Sequence, residues 1–147
     1  MNKQPLIVLL GAAGSGKGTQ AALLVEKYGY QKIEAGAIVR AKAQEDSPLG
    51  RQLKEISDSG GHSPDEMISS LMAEHIKTIK ANQPLVVDGY PRTSGQADLF
   101  AKILKETKRD KQPVAVVWIN VGLAEAKRRL LNRGMCEKCH AVYPTRD

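Results

Sequence analysis

The chain of 147 residues is 41% hydrophobic, enough for one domain around a single core. Its net charge of +6 is unevenly placed: residues 1–100 carry 11 Lys and Arg against 11 Asp and Glu, and residues 101–147 carry 11 against 5, so an anionic partner is expected. The single Phe, single Trp and four Tyr are scattered rather than interleaved with basic residues, which argues against nucleic acid and for a small phosphorylated ligand, and no segment is long and apolar enough to span a membrane.

The N-terminus has the outline of a short signal peptide, Lys3 followed by Leu6–Ala13, and Cys136–His140 reads C-x-x-C-H, the form of haem attachment. An exported cytochrome is disfavoured, because the apolar stretch is short and cleavage after Ala13 would cut a glycine-rich bend. Leu6–Leu10 is an apolar run of the kind buried on both faces of a parallel sheet. Gly18–Tyr28 has helical spacing in Ala21, Leu24, Val25 and Tyr28, and a short strand is expected near Gln31–Ile33. About fifty residues then read as wholly helical, with N-caps expected at Ser47-Pro48 and at Ser63-Pro64-Asp65-Glu66, the latter as a capping box. Ile68, Leu71, Met72, His75, Ile76 and Ile79 fall on one helix face, where His75 reads as a packed or half-exposed side chain and not as a ligand. Leu85–Val87 and Val114–Ile119 are further strands, followed by helices predicted over Gln96–Lys105 and Leu123–Arg133. Alternating strands and helices predict an α/β domain with a mostly parallel sheet.

GAAGSGKGTQ, Gly11–Gln20, stands between the first strand and the first helix. Gly11-x-x-x-x-Gly16-Lys17 in that context is a phosphate-binding loop: the glycines let backbone N–H groups turn toward a polyphosphate, the helix N-terminus adds positive potential, and Lys17 reaches the β- and γ-phosphates. Gly18 replaces the usual Ser or Thr, leaving Thr19 as the nearest hydroxyl for a metal's water shell.

Together with LVVDGYPRTSGQ, Leu85–Gln96, this loop resembles the adenylate kinase family of nucleoside monophosphate kinases over nearly all of the chain. The resemblance implies a three-layer α/β/α P-loop kinase fold with a parallel sheet, divided into core (1–33 and 65–133), a helical insertion that binds the nucleoside monophosphate (34–64) and the start of a lid (134–147). It implies transfer of a phosphoryl group from ATP, with Mg²⁺, to a monophosphate, AMP being favoured over CMP or UMP. ATP would be held by Gly14, Ser15, Gly16, Lys17, Gly18, Thr19, Arg129 and Arg133, and the acceptor by Ala35, Arg40, Gly61, Ser63, Gly89, Arg92 and Gln96. The catalytic set would be Lys17, Asp88, Arg92 and Arg133. Asp88 can carry the water shell of Mg²⁺, Arg92 offers a planar fork to a phosphate, and Gln96 can meet an adenine edge. Helix capping for Asp88 and a surface ion pair for Arg92 are the plainer alternatives. Arg129 and Arg133, four apart, are expected on one helix face.

Where the family reads Ser-Thr-Gly-Asp this chain has Glu34-Ala35-Gly36-Ala37, which bears on the acceptor more than on the reaction. Cys136 and Cys139 resemble half of a structural Zn²⁺ site in the lid; a metal-free lid with two reduced thiols is the alternative. The family continues past the lid with an arginine-bearing helix and a last strand, so a truncated version of a longer enzyme is favoured over a naturally short or non-catalytic nucleotide-binding module. A cytoplasmic monomer is expected.

Overall fold

The computed structural model describes residues 4–135 and 142–144. Cys136 and Cys139 fall outside the described residues. In chain order the elements are β1 (Leu6–Leu10), α1 (Lys17–Tyr28), β2 (Gln31–Glu34), α2 (Ala35–Ala43), α3 (Pro48–Asp58), α4 (Asp65–Thr78), β3 (Leu85–Asp88), α5 (Ser94–Glu106), β4 (Val114–Trp118), α6 (Leu123–Leu131), β5 (Arg133–Met135) and β6 (Val142–Pro144). Four parallel strands form one sheet in the order β2-β3-β1-β4, with Leu9 beside Asp88 and Glu34 beside Asp88 at its C-terminal edge. This is the parallel α/β sheet that the alternating pattern predicts and the three-layer P-loop kinase architecture that the family resemblance implies.

The pleat explains the layers. Leu6 and Val8 point to one face and meet Met72 and Ile76 of α4 and Phe100, Ile103 and Leu104 of α5. Leu9 and Val86 point to the other and meet Ala21 of α1 and Tyr30. Strand β3 is buried along its whole length, as a central parallel strand requires. Beneath the sheet, the fully buried Arg109 donates to the carbonyls of Ile79, Lys80 and Gln83, satisfying the turn that leaves α4.

Three local expectations change. Helix α6 ends at Leu131, and Arg133 begins an antiparallel pair in which Gly134 faces Tyr143, so Arg129 and Arg133 do not share a helix face. The backbone groups of Arg133–Met135 are met by β6 instead of by a further helical turn. Ser47 does cap α3, accepting from Gly50 N at 3.0 Å, but α4 starts one residue later than expected and Ser63 makes no capping bond. The Asp65 carboxylate, at the first position of α4, is engaged across the molecule by Thr93 and Gln96, which fixes where that helix begins. His75 is exposed, its Nδ1 hydrogen-bonded to the Leu71 carbonyl.

Candidate functional site

Strand β1 delivers the chain at Leu10 into the glycine loop, and the loop's shape follows from what surrounds it. Gly14 has φ +79°, and a Cβ there would stand 2.6 Å from the Ala126 carbonyl of α6, so no larger residue fits. Lys17, at the first turn of α1, folds back so that Nζ donates to the carbonyls of Gly11 and Ala12, both at 2.9 Å. Ser15 is buried and its Oγ has no hydrogen-bond partner among the described residues. Gly16 precedes the helix in the left-handed region, and Gly18 lies close to Asp88, whose Oδ2 is 3.7 Å from where a Gly18 Cβ would stand. Thr19 is exposed in the same turn.

Asp88 ends β3 beside the loop. Burial raises its pKa above the ordinary carboxylate value; the charges of Lys17, Lys32 and Arg92 oppose the rise, and Glu34, across on β2, adds to it. No hydrogen bond to its carboxylate exists among the described residues. A desolvated carboxylate without a hydrogen-bond donor, facing Gly18 of the loop, is an oxygen donor of the kind a hard divalent cation takes. Among the described residues no cluster of three His, Cys, Asp or Glu forms a closed metal site, and the zinc expectation rests on residues outside them.

The other side of the site is built on the turn after β3. Gly89 has φ +76°, and the following Tyr90–Pro91 peptide is cis. Tyr90 is wholly buried, edge-on to Phe100 at 5.3 Å, with its hydroxyl bonded to Ser69 Oγ at 2.8 Å and the Gln96 carbonyl at 3.2 Å. This anchor holds the turn that carries Arg92. The Arg92 guanidinium lies over Gly89, 2.9 Å from where a Cβ would be, and its Nε donates to the Gly89 carbonyl at 2.7 Å. Arg40 is arranged alike on α2, with Nη1 3.0 Å from the Cβ position of Gly36 and Nη2 donating to Glu34 Oε1 at 3.3 Å. Burial works to raise the pKa of Glu34, but the hydrogen bond from Lys32 at 2.8 Å and the charges of Lys32 and Arg40 outweigh it and hold the carboxyl below its usual value.

Lys17, Asp88, Arg40, Arg92 and Gln96 therefore gather along the C-terminal edge of β1, β2 and β3, the edge at which open parallel sheets bind ligands. Arg129 comes to the loop as well: its Nη1 is 4.0 Å from the Cβ position of Gly16, and Nε donates to Glu125 Oε1 at 2.7 Å. Ala35 is buried at the start of α2, while Gly61 is exposed and Ser63 half-buried in the connection from α3 to α4. Arg133 is exposed on β5, and no hydrogen bond or ion pair among the described residues joins its side chain to the loop. Sequence reasoning overlooked Asp65 and Thr93 as partners of Gln96. The Thr93-x-x-Gln96 spacing of a capping box was a readable signal for one of them; nothing local marks Asp65.

The family model described as Adenylate kinase matches residues 9–143. The chain is 36% identical over 137 residues to an adenylate kinase of Citrifermentans bemidjiense, an alignment covering 93% of this chain and 63% of that protein. It is 36% identical over 141 residues to an adenylate kinase of Elusimicrobium minutum (96% and 64%) and 38% identical over 137 residues to one of Geobacillus sp. (93% and 62%). The chain thus spans a little under two thirds of the length of the curated relatives it matches.

Proposed function

This chain belongs to the adenylate kinase family, and on that premise we propose that it transfers the terminal phosphoryl group of ATP to AMP, forming two ADP. The observation that carries the reading is the grouping of Lys17 and buried Asp88 at the glycine loop with Arg92 and Arg40 on the same sheet edge. ATP occupies Gly14–Thr19, with its phosphates on the loop N–H groups and Lys17, and Arg129 beside the loop. Arg40 and Arg92 hold the acceptor phosphate, while Ala35, Gly61, Ser63, Gly89 and Gln96 surround its base and ribose. Arg133, at the end of the core, reaches the transferring group. Residues 34–64 form the monophosphate-binding insertion on a core of 1–33 and 65–133, with the lid beginning at 134.

Asp88 and Thr19 would hold Mg²⁺ through its water shell, and that ion, when bound, offsets charge on the phosphates. The acceptor nucleophile is already a phosphate oxygen anion, so the protein needs no catalytic base. Its oxygen attacks the γ-phosphorus in line, and the bridging oxygen leaves with the β-phosphate of the departing ADP. The side chains contribute alignment and positive charge: Lys17, Arg40, Arg92 and Arg133 reduce repulsion between two anions as they meet. We place the chain in the cytoplasm, where Cys136 and Cys139 would stay reduced thiols.

Phosphorus NMR of the chain with Mg·ATP and, in turn, AMP, CMP, UMP and GMP tests the proposal. ADP from AMP is the expected product. A second reading, another monophosphate as acceptor, is favoured by Ala35, which has no hydroxyl to offer, and would show as faster diphosphate formation with that nucleotide. No diphosphate from any acceptor would overturn the kinase reading for this chain.

A further inference from the structure

Asp65 belongs neither to the glycine loop nor to the arginines, yet it closes a set of hydrogen bonds around Gln96. Its Oδ1 accepts from Gln96 Nε2 at 2.9 Å and its Oδ2 from Thr93 Oγ1 at 2.7 Å. Thr93 Oγ1 in turn accepts from Gln96 N at 3.0 Å, and Gln96 Oε1 accepts from Arg92 N at 2.8 Å. Gly95 makes the approach possible, because a Cβ there would stand 2.6 Å from Asp65 Oδ2. Gln96 is buried, so its amide cannot trade these partners freely for water.

A carboxylate here accepts and a peptide N–H donates, so only one orientation of the Gln96 amide satisfies both neighbours. Turned over, its NH₂ would face the Arg92 N–H and its oxygen would face the Asp65 carboxylate. In the satisfied orientation each end of the amide keeps one further bond: a second hydrogen on Nε2 and a second lone pair on Oε1. We propose that Asp65 is a positioning residue that fixes the Gln96 amide and thereby selects an acceptor base of the 6-aminopurine pattern, an amino donor for Oε1 beside a ring-nitrogen acceptor for Nε2. A 6-oxopurine presents the reverse order and would require the overturned amide. This inference rests on the reading of Gln96 as a residue that faces the acceptor base.

The test is calorimetric binding of AMP and of IMP to the chain and to its Asp65→Ala, Asp65→Asn and Gln96→Ala variants. The unmodified chain should prefer AMP by about tenfold to a hundredfold, the effect of leaving one buried polar group unsatisfied. Asp65→Ala should reduce that ratio by about tenfold, and Asp65→Asn, whose side-chain oxygen can still accept from Nε2, should retain it. Nitrogen-edited NMR separates fixing of the amide from general damage: one Gln96 side-chain hydrogen should be shifted and slow to exchange in the unmodified chain and in Asp65→Asn, and averaged in Asp65→Ala. Equal binding of IMP and AMP by the unmodified chain would overturn the proposal even if Asp65→Ala failed to fold, and so would an unchanged ratio in a folded Asp65→Ala. If Gln96→Ala bound AMP as tightly as the unmodified chain, the base-facing reading itself would fall. Lack of any AMP binding would end the proposed function.

Discussion

At the scale of single residues the site sets side chains against their own stability. Asp88 is desolvated, and its folded pKa lies above its unfolded value, so the folded state holds that proton more tightly. The chain is therefore relieved of this penalty below the unfolded pKa, and stability declines as pH rises from there through the folded pKa, leaving the ionised group destabilising at neutral pH. Asp88→Asn is expected to raise the melting temperature of the nucleotide-free chain at pH 7 by a few degrees, with the gain disappearing on acidification, while Mg·ATP-dependent turnover falls on the order of 10²-fold. Calorimetric melts at two pH values and a coupled assay check both halves. An unchanged or lower melting temperature at pH 7 would show that burial does not dominate at Asp88. Glu125 has the opposite sign: hydrogen bonds from Arg128 and Arg129 pull its pKa down to about 2, so what it adds to folding is present above the ordinary carboxylate range and lost progressively as pH falls from that range through about 2.

At the scale of elements, what could be read in advance was what neighbouring residues decide. The strand at Leu6–Leu10, the glycine loop and the Ser47 cap all depend on residues within a few positions of one another, and each stands where the pattern put it. The end of α6 did not, because Arg133-Gly134-Met135 is drawn into pairing with Val142–Pro144, a partner that helical periodicity does not report. The start of α4 moved for a similar reason, a carboxylate committed to residues 28 and 31 positions away. Arg109 carries no local sign that it will be buried. Within the site, the loop lysine and the Asp-Gly-Tyr-Pro-Arg turn were legible from residue type and spacing, whereas the pairing of Arg40 with Glu34 needed the register of β2 on β3. Helix α5 offers a direct check of the element scale. Thr93→Ala removes both the cap on Gln96 N and the donor to Asp65, and should destabilise the chain by about 1–2 kcal/mol in urea titrations, with Thr93→Ser restoring most of the loss. A change within experimental error would mean that the cap contributes nothing here.

At the scale of the whole molecule, the sheet is closed on its faces around β3, and among the described residues β4 is an edge strand. Val116 and Trp118 are 61% and 69% exposed, and no charged residue or proline interrupts Val114–Trp118, the devices by which an edge strand usually resists pairing with another chain. Concentrated solutions of the chain should therefore scatter light on warming, more so as salt screens its net positive charge. Val116→Lys should delay that onset without altering the far-ultraviolet spectrum, and an onset unmoved by the substitution would direct attention away from this edge. The glycine loop, at the C-terminal end of β1, has a different consequence. With the ammonium of Lys17 clasped by the carbonyls of Gly11 and Ala12, the bend is wound around a cation that belongs to it. Its curvature is thus settled during folding, and an arriving polyanion meets a finished concavity that surrenders little further chain freedom.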